Sequence, residues 1–96
     1  GELTSAPQTD GGRPCFYKGT FTVEIPADTY LDVSGWGMGE VWVNGHYAGS
    51  YWEQNAQQSI QLPAETLQKG ANSLTVFELK SNGKRTMRLS DKAIFN

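Results

Sequence analysis

The pair Asn44-Gly45 constrains the fold more than any other feature of this sequence. Both central residues of a type I′ turn need a positive φ angle, which asparagine tolerates and glycine adopts without steric cost. Residues 40–44, which end with the asparagine of the pair, have the alternating pattern of a short strand. Residues 46–48 after the pair predict a return strand that is interrupted at Gly49. The pair therefore predicts a tight antiparallel hairpin near the middle of the chain.

The segments around this hairpin also have the composition of short strands. Residues 15–25 alternate between polar and apolar side chains, and the predicted inward face consists of Cys15, Tyr17, Phe21, Val23 and Ile25. Further strands are predicted at 29–34, 57–62, 73–80, 85–89 and 93–95. Segment 73–80 is apolar on both faces, which predicts a central strand, and 63–70 predicts a single helical turn closed by Gly70. Seven to eight strands with almost no helix predict an all-β antiparallel sandwich.

Length and composition limit the domain organisation and the partners. The 96 residues correspond to one domain, with 1–14 predicted to be a polar linker and 15–96 a single β-sandwich. The net charge is −2 and the basic residues are scattered, which argues against nucleic acid as a partner. No apolar run approaches the roughly 18–20 residues of a transmembrane helix, so no membrane partner is expected. The only cysteine, Cys15, excludes an internal disulfide and is predicted to be buried.

The sequence offers little for catalysis. The only histidine, His46, follows the predicted turn, and Ser50 and Glu53 are the nearest groups that could assist it. A packed hairpin residue explains His46 more simply than a general base. No nucleophile elbow, phosphate-binding loop or metal-ligand spacing is present. We therefore expect no catalytic residue, metal site or cofactor in this chain, while a structural calcium is left open.

Carbohydrate binding is the more serious functional candidate, because aromatic rings stack on sugar rings while polar side chains hold the hydroxyls. The candidate sugar-binding residues are Trp52, Tyr47, His46 and Tyr51. The alternative is that the aromatic residues fill the core of a small sandwich. Residues assigned a structural role are Trp36, Trp42, Asn44 and Gly45, with Trp36 folded inward by its Gly-rich loop, 35–39.

Several motifs between residues 16 and 79 occur in the order of one known family. They are Tyr17-Lys18-Gly19-Thr20-Phe21, Ala27-Asp28-Thr29, Leu31-Asp32, Ser34-Gly35-Trp36-Gly37, Trp42-Val43-Asn44-Gly45-His46, Gly49, Tyr51-Trp52, Gln57-Gln58, Leu62-Pro63 and Val76-Phe77-Glu78-Leu79. Each motif alone is weak, but together they cover about two-thirds of the chain. With them, the segment resembles the C-terminal β-sandwich of glycoside hydrolase family 35 β-galactosidases.

The resemblance implies a jelly roll of the galactose-binding-domain type beside a catalytic (β/α)₈ barrel. The catalytic glutamates of that retaining family lie in the barrel, so none can be carried over to this chain. The implied role is to pack against the barrel and to frame the β-galactoside site. The family also implies an extracytoplasmic location, whether periplasmic, secreted or lysosomal.

The sequence departs from the family pattern at several positions. Ser50 stands where an arginine is common, Tyr47-Ala48 where Asn-Leu is common, and Met38 where a lysine is frequent. If that arginine joins the sandwich to the barrel in relatives, this chain makes the contact differently. Strand material usually precedes the FYKGTF run, and here only a polar stretch does.

Two other interpretations stay open at this point. The chain could be an independent carbohydrate-binding module for galactosides or plant-wall glycans, which grips them with Trp52, Tyr47 and His46. An exposed aromatic platform would favour this interpretation, and buried tryptophans would oppose it. The chain could instead be an interaction domain that dimerises through an exposed sheet edge.

Overall fold

The computed structural model describes residues 4–5, 14–80 and 87–95, which form two antiparallel β-sheets. The strands in chain order are β1 (Thr4–Ser5), β2 (Cys15–Val23), β3 (Thr29–Asp32), β4 (Met38–Val43), β5 (His46–Trp52), β6 (Ser59–Leu62), β7 (Gly70–Glu78) and β8 (Arg88–Ser90). One sheet has the order β1-β2-β7-β4-β5, and the other has the order β6-β3-β8. Their side chains meet in a shared core, which confirms the predicted β-sandwich.

The core is built by side chains that alternate along each strand. In β4, for example, Gly39, Val41 and Val43 are buried, whereas the residues between them are only partly covered. The facing sheet contributes buried side chains from β3 and β6: Leu31, Ile60 and Leu62. Strand β7 lies between β2 and β4, so its predicted central position is confirmed.

The Asn44-Gly45 turn has the predicted geometry. Asn44 has φ of 50° and Gly45 has φ of 82°, as a type I′ turn requires. The Asn44 side chain donates to the Thr66 carbonyl (2.8 Å) and accepts from the backbone N–H of Ser73 (2.8 Å). It also donates to Oδ1 of the buried Asn72 (2.8 Å). Asn44 therefore ties the turn to β7 and to the loop before it.

Replacing Gly45 by valine should lower the free energy of unfolding by about 2 kcal/mol, because a β-branched residue resists positive φ. For a domain of this size that corresponds to a drop of roughly 10 °C in the melting temperature, measured by circular dichroism. Gly45→Asn is the control, since asparagine tolerates this conformation and should cost less. An unchanged melting temperature for Gly45→Val would contradict the turn assignment.

The sequence predicts that the return strand is interrupted at Gly49, but the strand continues to Trp52. The ladder between β4 and β5 shifts register after Val41, which pairs with Gly49, whereas Trp42 pairs with Tyr47. Ala48 is thus the extra residue of a β-bulge, and Gly49 has φ of 146°. Glycine accommodates the irregularity here and does not terminate the strand.

Several predicted ends need correction. Strand β2 stops at Val23, so Ile25 lies outside the core and 81% of its surface is exposed. The predicted strand over 29–34 ends at Asp32, and β6 begins only at Ser59. The predicted helical turn at 63–70 is a short 3₁₀ turn at Ala64–Thr66. The predicted strand 93–95 does not form, since Phe95 makes only an isolated bridge to Gln57.

Gly70 does not close a helix but opens β7, with φ of 97°. The predicted strand 85–89 corresponds to β8 at Arg88–Ser90, and residues 85–86 lie outside the described residues. Most of the predicted linker 1–14 also lies outside them, although Thr4–Ser5 pairs with β2. Among the described residues, no helix is long and apolar enough to cross a membrane.

Candidate functional site

The outward-facing side of the five-stranded sheet carries a group of large apolar side chains. Phe16 of β2 stacks on Phe77 of β7, with ring centroids 4.4 Å apart. Trp42 of β4 meets Tyr47 of β5 edge to face, with centroids 5.7 Å apart. We call this surface the outer aromatic face, and it comprises Phe16, Met38, Trp42, Tyr47, Trp52 and Phe77. All four neighbouring strands β2, β7, β4 and β5 contribute to it.

Three of the predicted sugar-binding residues are exposed on β5, which is an edge strand. Tyr47 is 59% exposed and Trp52 is 44% exposed, and both belong to the outer aromatic face. His46 is also exposed, at the first position of the strand. Exposed aromatic rings are available to a partner, in contrast to the core-filling alternative.

The Tyr47 hydroxyl donates a hydrogen bond to Oε1 of Glu40 on the neighbouring strand. This bond raises the pKa of Tyr47 above its ordinary value, and loss of water around the hydroxyl and then the negative charge of Glu40 add smaller contributions. The hydroxyl of Tyr47 is therefore fixed by the Glu40 carboxylate, and its ring packs against Trp42. A fixed ring loses less conformational entropy when a partner covers it.

Tyr51, the fourth candidate sugar contact, does not belong with the exposed aromatic residues. Only 4% of it is exposed, because it points inward from β5, and its hydroxyl donates to Oε1 of Glu78 (2.7 Å). Burial, followed by the bond to Glu78, raises the pKa of Tyr51 well above its ordinary value. Its ring has a structural role in the core.

Glu78 is a buried carboxylate that the sequence patterns did not single out. It is completely covered, and it accepts from the N–H of Gly37 (3.1 Å), the N–H of Lys80 (3.0 Å) and the Tyr51 hydroxyl. These donors compensate for its removal from water. The signal that could have revealed it is its place at the end of a strand with apolar residues on both faces.

The Gly-rich loop 35–39 makes room for this carboxylate and for the core. A Cβ atom at Gly37 would lie 2.7 Å from Glu78 Oε2. Trp36 is buried, as predicted, and packs edge to face on Tyr17 with ring centroids 5.1 Å apart. The loop is thus part of the packing, and a strand follows it.

The described residues show no catalytic arrangement around His46. Glu53, one of the two groups near His46 in sequence, pairs instead with Lys80 (Nζ–Oε1, 2.6 Å). Within 4–5, 14–80 and 87–95, no three His, Cys, Asp or Glu side chains are grouped so that they could hold a metal ion.

Comparison with known proteins identifies relatives of most of the chain. The family model described as "Beta-galactosidase, galactose-binding domain" matches residues 14–72. Human beta-galactosidase-1-like protein 2 is 37% identical over 76 residues, which are 78% of this chain and 12% of that protein. Beta-galactosidase 17 of Arabidopsis thaliana is 41% identical over 86 residues, which are 83% of this chain and 12% of that protein.

A solved structure supports the same architecture. The rhamnosidase from Novosphingobium sp. PP1Y superimposes with a TM-score of 0.60 at 21% identity, over 69% of this chain and 6% of that one. At this identity the likeness concerns the fold alone. The chain spans only about 12% of the length of the curated relatives quoted above.

Proposed function

Since the chain belongs to the family of galactose-binding domains of β-galactosidases, we propose that it is a non-catalytic jelly-roll domain that packs against the catalytic part of a larger enzyme. By resemblance, that enzyme is a retaining β-galactosidase of glycoside hydrolase family 35 with an extracytoplasmic location. The sandwich would support the catalytic barrel and frame its β-galactoside site. The outer aromatic face is the observation that carries the proposal.

The spread of this face over four strands favours a protein partner. Single exposed apolar residues are normal on a protein surface, whereas a group of aromatic side chains on four neighbouring strands, with Glu40 and Ser50 among them, has the mixed composition of an interaction site. Aromatic residues and methionine are also the types enriched at protein interfaces. The occupant that we propose is the catalytic domain of the same protein, since the matched relatives are roughly seven times as long as this chain.

The departures from the family pattern support this choice of surface. Met38, Tyr47 and Ser50 all lie on the outward side of the sheet, and Ser50 pairs across the strands with Glu40. A lysine, an asparagine and an arginine are expected there from the resemblance. Replacing charged groups with methionine and serine makes the face more apolar, as a chain-specific contact with the barrel would require.

Phe16→Glu tests the docking function, because it places a charge within the proposed interface, where Phe16 stacks on Phe77. In the intact β-galactosidase that carries this domain, we expect the variant to separate one calorimetric unfolding transition into two. The isolated 96-residue chain should remain folded by circular dichroism, since Phe16 lies outside the core.

Thr22→Glu is the matched control, since Thr22 is exposed near the other end of the same strand. It should leave the intact enzyme with its original transition. If Phe16→Glu and Thr22→Glu behave alike, the outer aromatic face is not the docking surface.

An independent carbohydrate-binding module is the second candidate, and the exposure of Tyr47 and Trp52 favours it. In that case galactose, lactose or a galactan oligosaccharide would stack on these rings, with His46 beside them. Saturable quenching of tryptophan fluorescence that Trp52→Ala removes would support this candidate over docking.

A further inference from the structure

Asn44 is followed by glycine, which makes the pair a place where the chain can react with itself. The backbone nitrogen of the glycine attacks Cγ of the asparagine, because glycine has no side chain to hinder the approach. A bond forms between this nitrogen and Cγ, the Cγ–Nδ2 bond breaks, and Nδ2 leaves as ammonia with the proton of the glycine N–H. Water then opens the succinimide ring to give aspartate or isoaspartate. Asparagine is for this reason a heat-labile residue.

Burial does not protect the Asn44-Gly45 pair from this reaction. Gly45 is exposed at the tip of the hairpin, and a Cβ atom there would meet nothing within 4 Å. Asn44 itself is only half-buried. Water and hydroxide therefore reach the turn, so any protection has to come from the contacts of the Asn44 side chain.

These contacts use the whole side-chain amide of Asn44. Its Nδ2 donates to the Thr66 carbonyl (2.8 Å) and to Oδ1 of Asn72 (2.8 Å). Its Oδ1 accepts from the backbone N–H of Ser73 (2.8 Å). We call these three hydrogen bonds the Asn44 clamp. Since ring closure releases Nδ2 from Cγ, both bonds of Nδ2 must break before ammonia can leave.

The acceptor on Asn72 is itself fixed in orientation. Its Oδ1 accepts from the backbone N–H of Gln68 (2.9 Å), and its Nδ2 donates to the carbonyls of Gln68 (2.9 Å) and Gly70 (3.1 Å). Asn72 is buried, so a flipped amide would leave these groups without partners. A carboxylate at position 44 would therefore face two acceptor oxygens, neither of which can donate a hydrogen bond to it.

From this geometry we infer that Asn44 is a deamidation site that the fold keeps closed. The reaction proceeds when the turn detaches from its partners, so its rate follows the population of the opened state. The product lacks the two donors of the Asn44 clamp and returns to the native contacts less readily, which makes unfolding progressively irreversible. The inference does not depend on docking to a catalytic domain, since no residue of the clamp belongs to the outer aromatic face.

The test compares deamidation of the 96-residue chain in mildly alkaline buffer with and without urea. Mass spectrometry of the digested chain measures the mass gain of the peptide that contains residue 44. Opening the Asn44 clamp breaks three hydrogen bonds, so the reaction should be about a hundredfold slower in buffer than in urea. Asn82-Gly83 is the same dipeptide and provides the reference for the intrinsic rate in urea. Equal rates at residue 44 in both solutions would overturn the inference.

Asn72→Ala tests whether the Asn44 clamp provides the protection. It removes one acceptor of Nδ2 and should raise the rate in buffer about tenfold. Tyr51→Phe is the matched control, because it removes a hydrogen bond at the far end of the same hairpin and leaves the clamp intact. It should leave the rate unchanged. If both variants accelerate the reaction equally, deamidation follows overall stability and the inference is wrong.

Asn44→Asp reproduces one product of the reaction and measures its effect on the fold. The Thr66 carbonyl and Oδ1 of Asn72 lose their donor, so the melting temperature should fall by roughly 5–10 °C. Gln54→Glu makes the same exchange of amide for acid at an exposed loop position and should leave the melting temperature unchanged. An Asn44→Asp chain that melts like Gln54→Glu would also overturn the inference.

Discussion

Replacing Gly39 by alanine is expected to prevent the domain from folding. Gly39 lies in β4 opposite Glu78 of β7, and an added Cβ would fall 2.0 Å from the carbonyl oxygen of Phe77 and 2.7 Å from the Tyr51 hydroxyl. The first of these atoms belongs to the backbone of the central strand, which cannot move without breaking the ladder. Overpacking of a core usually costs about 1–3 kcal/mol, and a clash with backbone should exceed that range.

Gly49→Ala is a suitable comparison for this substitution. Its added Cβ makes only an ordinary contact, so the cost comes from the positive φ alone, about 1–3 kcal/mol. Circular dichroism should show a folded Gly49→Ala protein with a lower melting temperature and a Gly39→Ala protein without a cooperative transition. A Gly39→Ala protein that melts at or above the temperature of Gly49→Ala would show that β4 and β7 are not packed as described.

Replacing Glu78 by alanine should remove most of the stability of the domain. Its carboxylate accepts from Gly37, Tyr51 and Lys80, and removing it leaves these donors without their acceptor. Each unsatisfied buried donor costs about 1–3 kcal/mol, and native proteins have only about 5–15 kcal/mol in total. Urea unfolding should therefore show a loss of about 3 kcal/mol or more.

Two further variants separate the contribution of the buried carboxylate from that of a charge on the surface. Tyr51→Phe removes a single donor and should cost about 1 kcal/mol. Glu24→Ala removes an exposed carboxylate just after β2 and should change the stability by no more than about 0.5 kcal/mol. If Glu78→Ala is as stable as Glu24→Ala, the carboxylate is not enclosed as the hydrogen bonds indicate.

Local signals in the sequence predicted the hairpin, the alternation in β4 and the central position of β7. These features depend on neighbours in sequence, such as the positive φ of Asn44 and Gly45. The motifs between residues 16 and 79 also indicated the family. The outer ends of strands were less predictable, since Ile25 has the right pattern but lies beyond the last backbone pair of β2.

The features that the sequence did not reveal depend on contacts between distant segments. Charged residues on strands are usually solvated, so the pattern around Glu78 does not predict its burial, and its donors come from three different segments. A cleft between β5 and β6 is lined by residues 48–51 together with Asn55, Gln57 and residues 59–61, which belong to different sheets and the loop between them. Neither segment has a periodicity that predicts this contact.

The position of β7 between β2 and β4 also determines the order in which the fold can assemble. The hairpin of β4 and β5 joins near neighbours and can form early, whereas every pair of the β2–β7 ladder joins residues far apart in the chain. During synthesis, β2 therefore has no central partner until β7 has left the ribosome. Folding of this domain should be slow for its size, with closure of the β2–β7 ladder as the step that sets the rate.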